Sequence, residues 1–158
     1  MIPFRLKPAQ FRERYQRCLE RLSRPAIAAV AAQLALPLHA DIRSAEVQIF
    51  VGEDDPHQSA VWIYYQGANN RVDSSDTSLF PGRSMELPLG LDGLDEFDER
   101  YYTDEDFGGL DLIAQALSAW FAECWWKAGG WRYPLPTLLQ VHDGFGGGKA
   151  IQLSEAAA

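Results

Sequence analysis

The spacing of apolar positions divides the chain into helical and extended segments. Over residues 8–22, Phe11, Tyr15, Cys18, Leu19 and Leu22 follow the i, i+4, i+7, i+8, i+11 stripe of a core-facing helix. Ser23 is placed to cap a second helix with Pro25 in its first turn. That Ala-rich helix spans about residues 26–36 and stops before Pro37. The period then falls to two. Val47, Ile49 and Val51 alternate with Glu46, Gln48 and Phe50, which predicts a strand. Residues 60–66 are apolar on both faces, as expected of a central strand. Arg71 and Val72 begin a third strand after the turn chemistry of residues 67–70, and a short strand is expected over 85–87.

The helical period returns over residues 109–128. Leu110, Ile113, Leu117, Trp120, Phe121, Cys124 and Trp125 fall in one arc, and Gly129 stands at the C′ position of a stop. Leu112, Ala119 and Trp126 fall nearly opposite, so the helix is either covered on two sides or presents Trp126 to a partner. After a Pro-interrupted connector, residues 138–142 and 150–153 predict a hairpin around the Gly-rich segment 143–148. Strands and helices in runs rather than alternation predict an α+β fold. Its parts are two N-terminal helices, an antiparallel or mixed β-sheet, one long helix packed on the sheet and a C-terminal β-hairpin. Trp120, Phe121 and Trp125 should pack on Val61, Ile63, Tyr65 or their neighbours. The 158 residues suit one domain, 1–158, long enough to bury a core without metals or disulfides.

Composition narrows the function classes. A hydrophobic fraction of 47% and an aromatic fraction of 12% exclude a disordered chain. The formal net charge of −8 argues against nucleic acid as partner, since phosphate binding needs clustered Lys and Arg. No apolar run reaches the roughly 18 residues of a membrane span. The run 26–38 mimics a signal peptide, but Gln33 interrupts it and the basic region before it is itself an amphipathic helix. Cys18 and Cys124 are too few for a disulfide framework or a zinc site, and read as reduced thiols of a cytoplasmic protein.

Charge is unevenly distributed. Residues 1–24 hold seven basic groups against Glu13 and Glu20, a net of +5, which leaves −13 for the rest. The basic face of the first helix, Arg12, Arg14, Arg17 and Arg21, is expected to pair with the acidic body, the other readings being contact with an anionic membrane or nucleic acid. Residues 92–106 concentrate Asp92, Asp95, Glu96, Asp98, Glu99, Asp104, Glu105 and Asp106 against Arg100, with Phe97, Tyr101, Tyr102 and Phe107 among them. Alternating ligands and the glycine of a calcium loop are both missing. Two readings stay open: a solvated loop whose last acids favour the next helix dipole, or a docking surface of aromatic anchors inside a charged rim. In the second, the partner-binding residues are Asp95, Glu96, Phe97, Asp98, Glu99, Tyr101 and Tyr102, with Trp126 as a further exposed candidate.

Enzymatic signatures are lacking. Segment 143–148 fails as a phosphate loop, because Asp143 occupies the first glycine position and Ala150 follows Lys149 where Ser or Thr is required. His39, His57 and His142 have no partners at metal or triad spacing. No cofactor and no metal is expected, and no catalytic residue is assigned. The overall plan, an acidic, aromatic-rich α+β domain with the helix segment 117–123 before a hairpin ending Ile151-Gln152-Leu153, resembles small bacterial immunity proteins of polymorphic toxin systems. That resemblance implies inhibition of a cognate toxin by binding it. It implies no residue-by-residue assignment. The expected partner is a basic protein. The rival classes are a small ligand-binding protein or enzyme with a pocket beside the sheet, with His142 and Asp143 at its edge near Glu123, and a scaffold component of a larger assembly.

Overall fold

A computed structural model of the chain describes residues 1–52, 55, 57–67, 71–72 and 83–156. Helices α1 (Pro8–Glu20) and α2 (Ser23–Leu34) precede the strands β1 (Ser44–Val51), β2 (Ser59–Gln66), β3 (Arg71–Val72) and β4 (Met85–Glu86). A one-turn helix α3 (Arg100–Thr103), the long helix α4 (Gly109–Lys127) and the strands β5 (Thr137–Val141) and β6 (Ile151–Gln152) complete the order. The six strands form one mixed sheet in the order β3-β2-β1-β5-β6, with β4 also pairing β2. The fold is α+β, as the periodicity predicts. Most of the acidic link 53–56 and of the turn 67–70 lies outside the described residues.

Strand β1 sits at the centre, and its burial alternates without a break. Val47, Ile49 and Val51 are buried, while Gln48 and Phe50 are half-covered on the opposite face. It pairs antiparallel with β2 (Val47 opposite Ile63) and parallel with β5 (Val47 opposite Leu139). A parallel neighbour requires a long crossover, which the whole segment containing α4 provides. The hairpin of β5 and β6 pairs Leu139 with Ile151.

Helix α4 lies against β1 and β5 rather than centrally over β2. Ile113, Leu117, Phe121, Cys124 and Trp125 are buried on its core face, as the wheel predicts, and Ala114, Ala116 and Ala122 are buried as well. These small residues let α1 and α2 approach its flanks. Tyr65 of β2 is covered from other directions: Gln33 Nε2 donates to its hydroxyl at 2.9 Å, and the Tyr133 hydroxyl lies 3.1 Å away. This explains the polar break in the apolar run of α2, because a buried tyrosine hydroxyl needs partners. Burial pushes the Tyr65 phenol up from its ordinary pKa.

Ser23 does not cap α2. Leu22 is the N-cap and Ser23 the first helical residue. Its hydroxyl is instead taken by Trp120, whose Nε1 donates to it at 2.8 Å and ties α2 to α4. At the other end of α4, Gly129 adopts φ +91° at C′. The next residue, Gly130, packs under the Trp125 indole, and a Cβ there would fall 2.1 Å from Nε1. Trp125 itself is fully buried and donates to the Leu153 carbonyl at 3.0 Å, so the end of the chain closes over it. Cys18 and Cys124 are free, buried thiols on different helices, and burial raises the Cys124 thiol to about 11.

Gly130→Ala should destabilise the fold by roughly 2–4 kcal/mol, because backbone and indole must separate to admit the methyl group. Chemical denaturation would measure this. Trp120→Phe, which loses the bond to Ser23 and part of the buried ring volume, should cost roughly 1–3 kcal/mol.

Candidate partner-binding surface

The stretch 92–106 folds onto the N-terminal segment, and aromatic rings decide how. Ile2 forms a parallel bridge to Phe97, its N–H donating to the Glu96 carbonyl at 2.8 Å while Asp98 N–H donates back to Ile2 at 2.9 Å. This puts the Phe97 and Tyr101 rings into the core beside Phe11, each 4.9 Å from its ring centroid. Tyr101 spends its hydroxyl on the same task. It donates to the Pro3 carbonyl and accepts from Arg5 N–H at 3.1 Å and Leu6 N–H at 3.0 Å. Gly109, at the start of α4, leaves room for this arrangement: a Cβ there would stand 1.8 Å from the Tyr101 carbonyl oxygen.

The expected docking surface is therefore corrected. Phe97 and Tyr101 are both 0% exposed and are core residues, not surface anchors. Their burial is the ordinary consequence of large apolar area next to an apolar helix face. Asp95 and Asp98 are engaged within the chain. Asp95 accepts from Arg21 at 2.9 Å and lies 3.6 Å from Arg14. Among the described residues the basic helix thus pairs with the acidic body through this carboxylate. A hydrogen bond from the Cys18 thiol, with Arg21 and Arg14 beside it, holds Asp95 below the usual carboxylate range. Asp98 is clasped by Arg100 at 3.0 Å through both nitrogens and held at about 2 by those hydrogen bonds. Glu96 and Glu99 are exposed and make no ion pair among the described residues.

What the fold gathers instead is a cleft of about 640 Å³ between the start of β2, the segment after β4 and the beginning of the acidic stretch. Asp55, Glu86, Asp92, Asp95 and Glu96 line it, with no Lys or Arg among its described walls. Half-buried Tyr102 lies in the wall, edge-on to His57 at 5.0 Å. Burial raises the Tyr102 phenol, and the nearby Cys18, Glu96 and Asp55 raise it further. So Asp95, Glu96 and Tyr102 of the sequence-predicted set share the cleft, whereas Asp98 and Glu99 lie outside its walls. Trp126 does too. It is 42% exposed at the end of α4, and its Nε1 donates to the Leu153 carbonyl at 3.1 Å.

A second groove of about 490 Å³ shares Asp55, Gln58, Ser59 and Glu86 with the first and continues onto the outer face of the sheet, past Phe50, Trp62 and Tyr64. Those three aromatics and Glu86 were not singled out from the sequence. The signal was the double-faced apolarity of residues 60–66, whose second face is half-buried here rather than core.

The enzyme-like constellation does not assemble. His142 and Asp143 adjoin at 3.4 Å, with the His142 ring against Phe50. Glu123 instead pairs with Lys127 at 2.6 Å. The Gly-rich segment is a loop held to α4, Gly146 N–H donating to Asp111 at 2.8 Å. Among the described residues no group of three His, Cys, Asp or Glu side chains could hold a metal, and no helix is long and apolar enough to cross a membrane. Compared with protein-family models, with curated proteins and with solved structures, the chain finds no match.

Two outcomes follow for stability. Tyr101→Phe leaves the Leu6 N–H short of a partner, while the Arg5 N–H and the Pro3 carbonyl keep their own bond at 2.9 Å, and should cost roughly 1–2 kcal/mol in denaturant unfolding. Asp95 and Asp98 have folded pKa values below the unfolded value of about 3.9. The stability they contribute is therefore fully present above pH 4–5 and is lost as pH falls through each folded pKa, which for Asp98 is about 2. In melting curves taken down this range, Asp98→Asn should show a shallower fall than the parent chain.

Proposed function

We propose that this chain is a non-enzymatic binding protein that receives a basic protein partner on its acidic cleft. The observation that carries the reading is the cleft wall itself: five carboxylates, with no Lys or Arg among the described lining residues. Converging charges of one sign in a recess focus the field and raise the encounter rate with a partner of opposite sign. The net charge of −8 acts in the same direction at longer range. The resemblance to small bacterial immunity proteins makes a cognate toxin the partner proposed, and the bacterial cytoplasm the place of encounter. A toxin acting on nucleic acid carries a basic active-site surface, which an acidic cleft complements.

Partner-binding roles then fall differently from the sequence expectation. Asp92, Glu96 and Tyr102 face the partner. Asp95 forms the boundary between the cleft and the basic face of α1, because Arg14 and Arg21 hold it from the other side. Phe97 and Tyr101 shape the wall from within.

The test begins with whether a secreted toxin is encoded beside this chain's gene; that toxin is then co-expressed with the chain, and binding kinetics are measured on the purified pair. Neutralisation of toxicity is expected, with an association rate that falls steeply between 50 and 500 mM salt, a range of about a tenfold change in screening ions. The combined change Asp92→Asn, Glu96→Gln should slow association about tenfold and flatten its salt dependence while leaving the melting temperature unchanged. An acidic partner, or rates that ignore both salt and the amide changes, would overturn the proposal.

A further inference from the structure

The groove on the outer face of the sheet carries chemistry that the cleft lacks. Trp62 and Tyr64 are two residues apart on β2 and so project from the same face. Their rings lie nearly parallel, 12° apart in plane with centroids separated by 6.2 Å. Glu86 of β4 is the direct cross-strand partner of Trp62, and both line the groove. Cross-strand partners on one face stand about 5 Å apart at Cβ, which places the Glu86 side chain next to that of Trp62. Glu86 is exposed and has no ion pair with a described residue.

The charges of this face agree with that pairing. Across the described side chains of β1, β2, β4, β5 and β6, the ionised groups on the outer face are Glu46 and Glu86. Glu46 is occupied: Gln48 Nε2 donates to one of its oxygens at 2.8 Å and Gln66 Nε2 reaches the other at 3.4 Å. Glu86 is left as the acceptor beside the aromatic pair. An indole face attracts a cation through its quadrupole, and an adjoining carboxylate accepts the fork of a guanidinium. A planar, weakly hydrated guanidinium can stack and bond at once, whereas an ammonium is a strongly hydrated point charge.

We infer that this groove is an arginine seat, in which an arginine side chain of a basic polypeptide lies against Trp62 and bonds to Glu86. The inference rests on the proposed binding function and extends it from the acidic cleft to the aromatic groove that adjoins it. The cleft attracts positive charge of either kind, while the groove distinguishes arginine from lysine.

The probes are hexa-arginine and hexalysine peptides, titrated calorimetrically into the full chain at low salt. Hexa-arginine should bind about tenfold more tightly than hexalysine, and Trp62→Ala and Glu86→Gln should each abolish that preference. Trp62→Phe, which keeps a ring in the same place, should retain part of it and guards against loss of folding in the alanine variant. Asp92→Asn with Glu96→Gln should weaken both peptides equally. Should the two groove variants leave the arginine preference intact while the cleft variant still weakens binding, the arginine seat is wrong and the acidic-cleft reading survives. Equal affinity of the parent chain for the two peptides also overturns the seat. Binding that none of the variants changes removes both.

Discussion

The stacking of Phe11 on Tyr101 is the contact on which the rest of the surface depends. The two rings lie 23° from parallel, and Phe97 and Phe107 close edge-on around Phe11 at 4.9 and 5.5 Å. Three buried rings with half-buried Phe107 against them outweigh the pull of the surrounding carboxylates towards water. Each buried aromatic is worth a few kcal/mol, and the acids need only remain at the surface to avoid a desolvation cost. The chain satisfies both by turning rings inward and acids outward over one short stretch. This arrangement makes 92–106 a wall packed on the N-terminal segment, with a charged outer surface.

From that wall the charge geometry follows. Asp95 stands where the basic face of α1 meets the acidic cleft, held by Arg21 and Arg14. Such exposed pairs contribute about 0–1 kcal/mol, so their effect is more positional than energetic. They consume one carboxylate and leave the field of Asp92, Glu96, Asp55 and Glu86 directed into the recess. Among the described residues the positive charge of the N-terminal region and the negative charge of the body thus meet at Asp95, and Asp92, Glu96 and Glu86 make no ion pair there.

The sheet adds a second kind of surface. Its inner face is closed by α4, with α1 and α2 on the flanks of that helix. On its outer face Phe50, Trp62 and Tyr64 remain half-covered. Aromatic side chains on strands pack readily with neighbours on one pleated face. Placed beside Glu86, they set an aromatic surface directly against the acidic cleft.

Much of this fold was legible from periodicity. Phe11, Tyr15, Cys18 and Leu19 on α1, the alternation through Val47, Ile49 and Val51, and the stop at Gly129 follow from 3.6- and 2-residue repeats, because burial on one face imposes those repeats directly. The uneven charge and the break at Gln33 were equally visible, although only the Tyr65 hydroxyl explains the latter. Local sequence could not say which aromatics of 92–106 turn inward, since Phe97, Tyr101 and Tyr102 are alike in composition and context. Long-range contacts with Ile2, Pro3 and Phe11 settle that. The parallel pairing of β1 with β5, the exchange of Ser23 from a cap to the partner of Trp120, and the junction of cleft and groove at Glu86 have the same origin. Each joins segments distant in the chain. Periodicity reports which face of an element is buried, and only the packed tertiary structure decides what is buried against it.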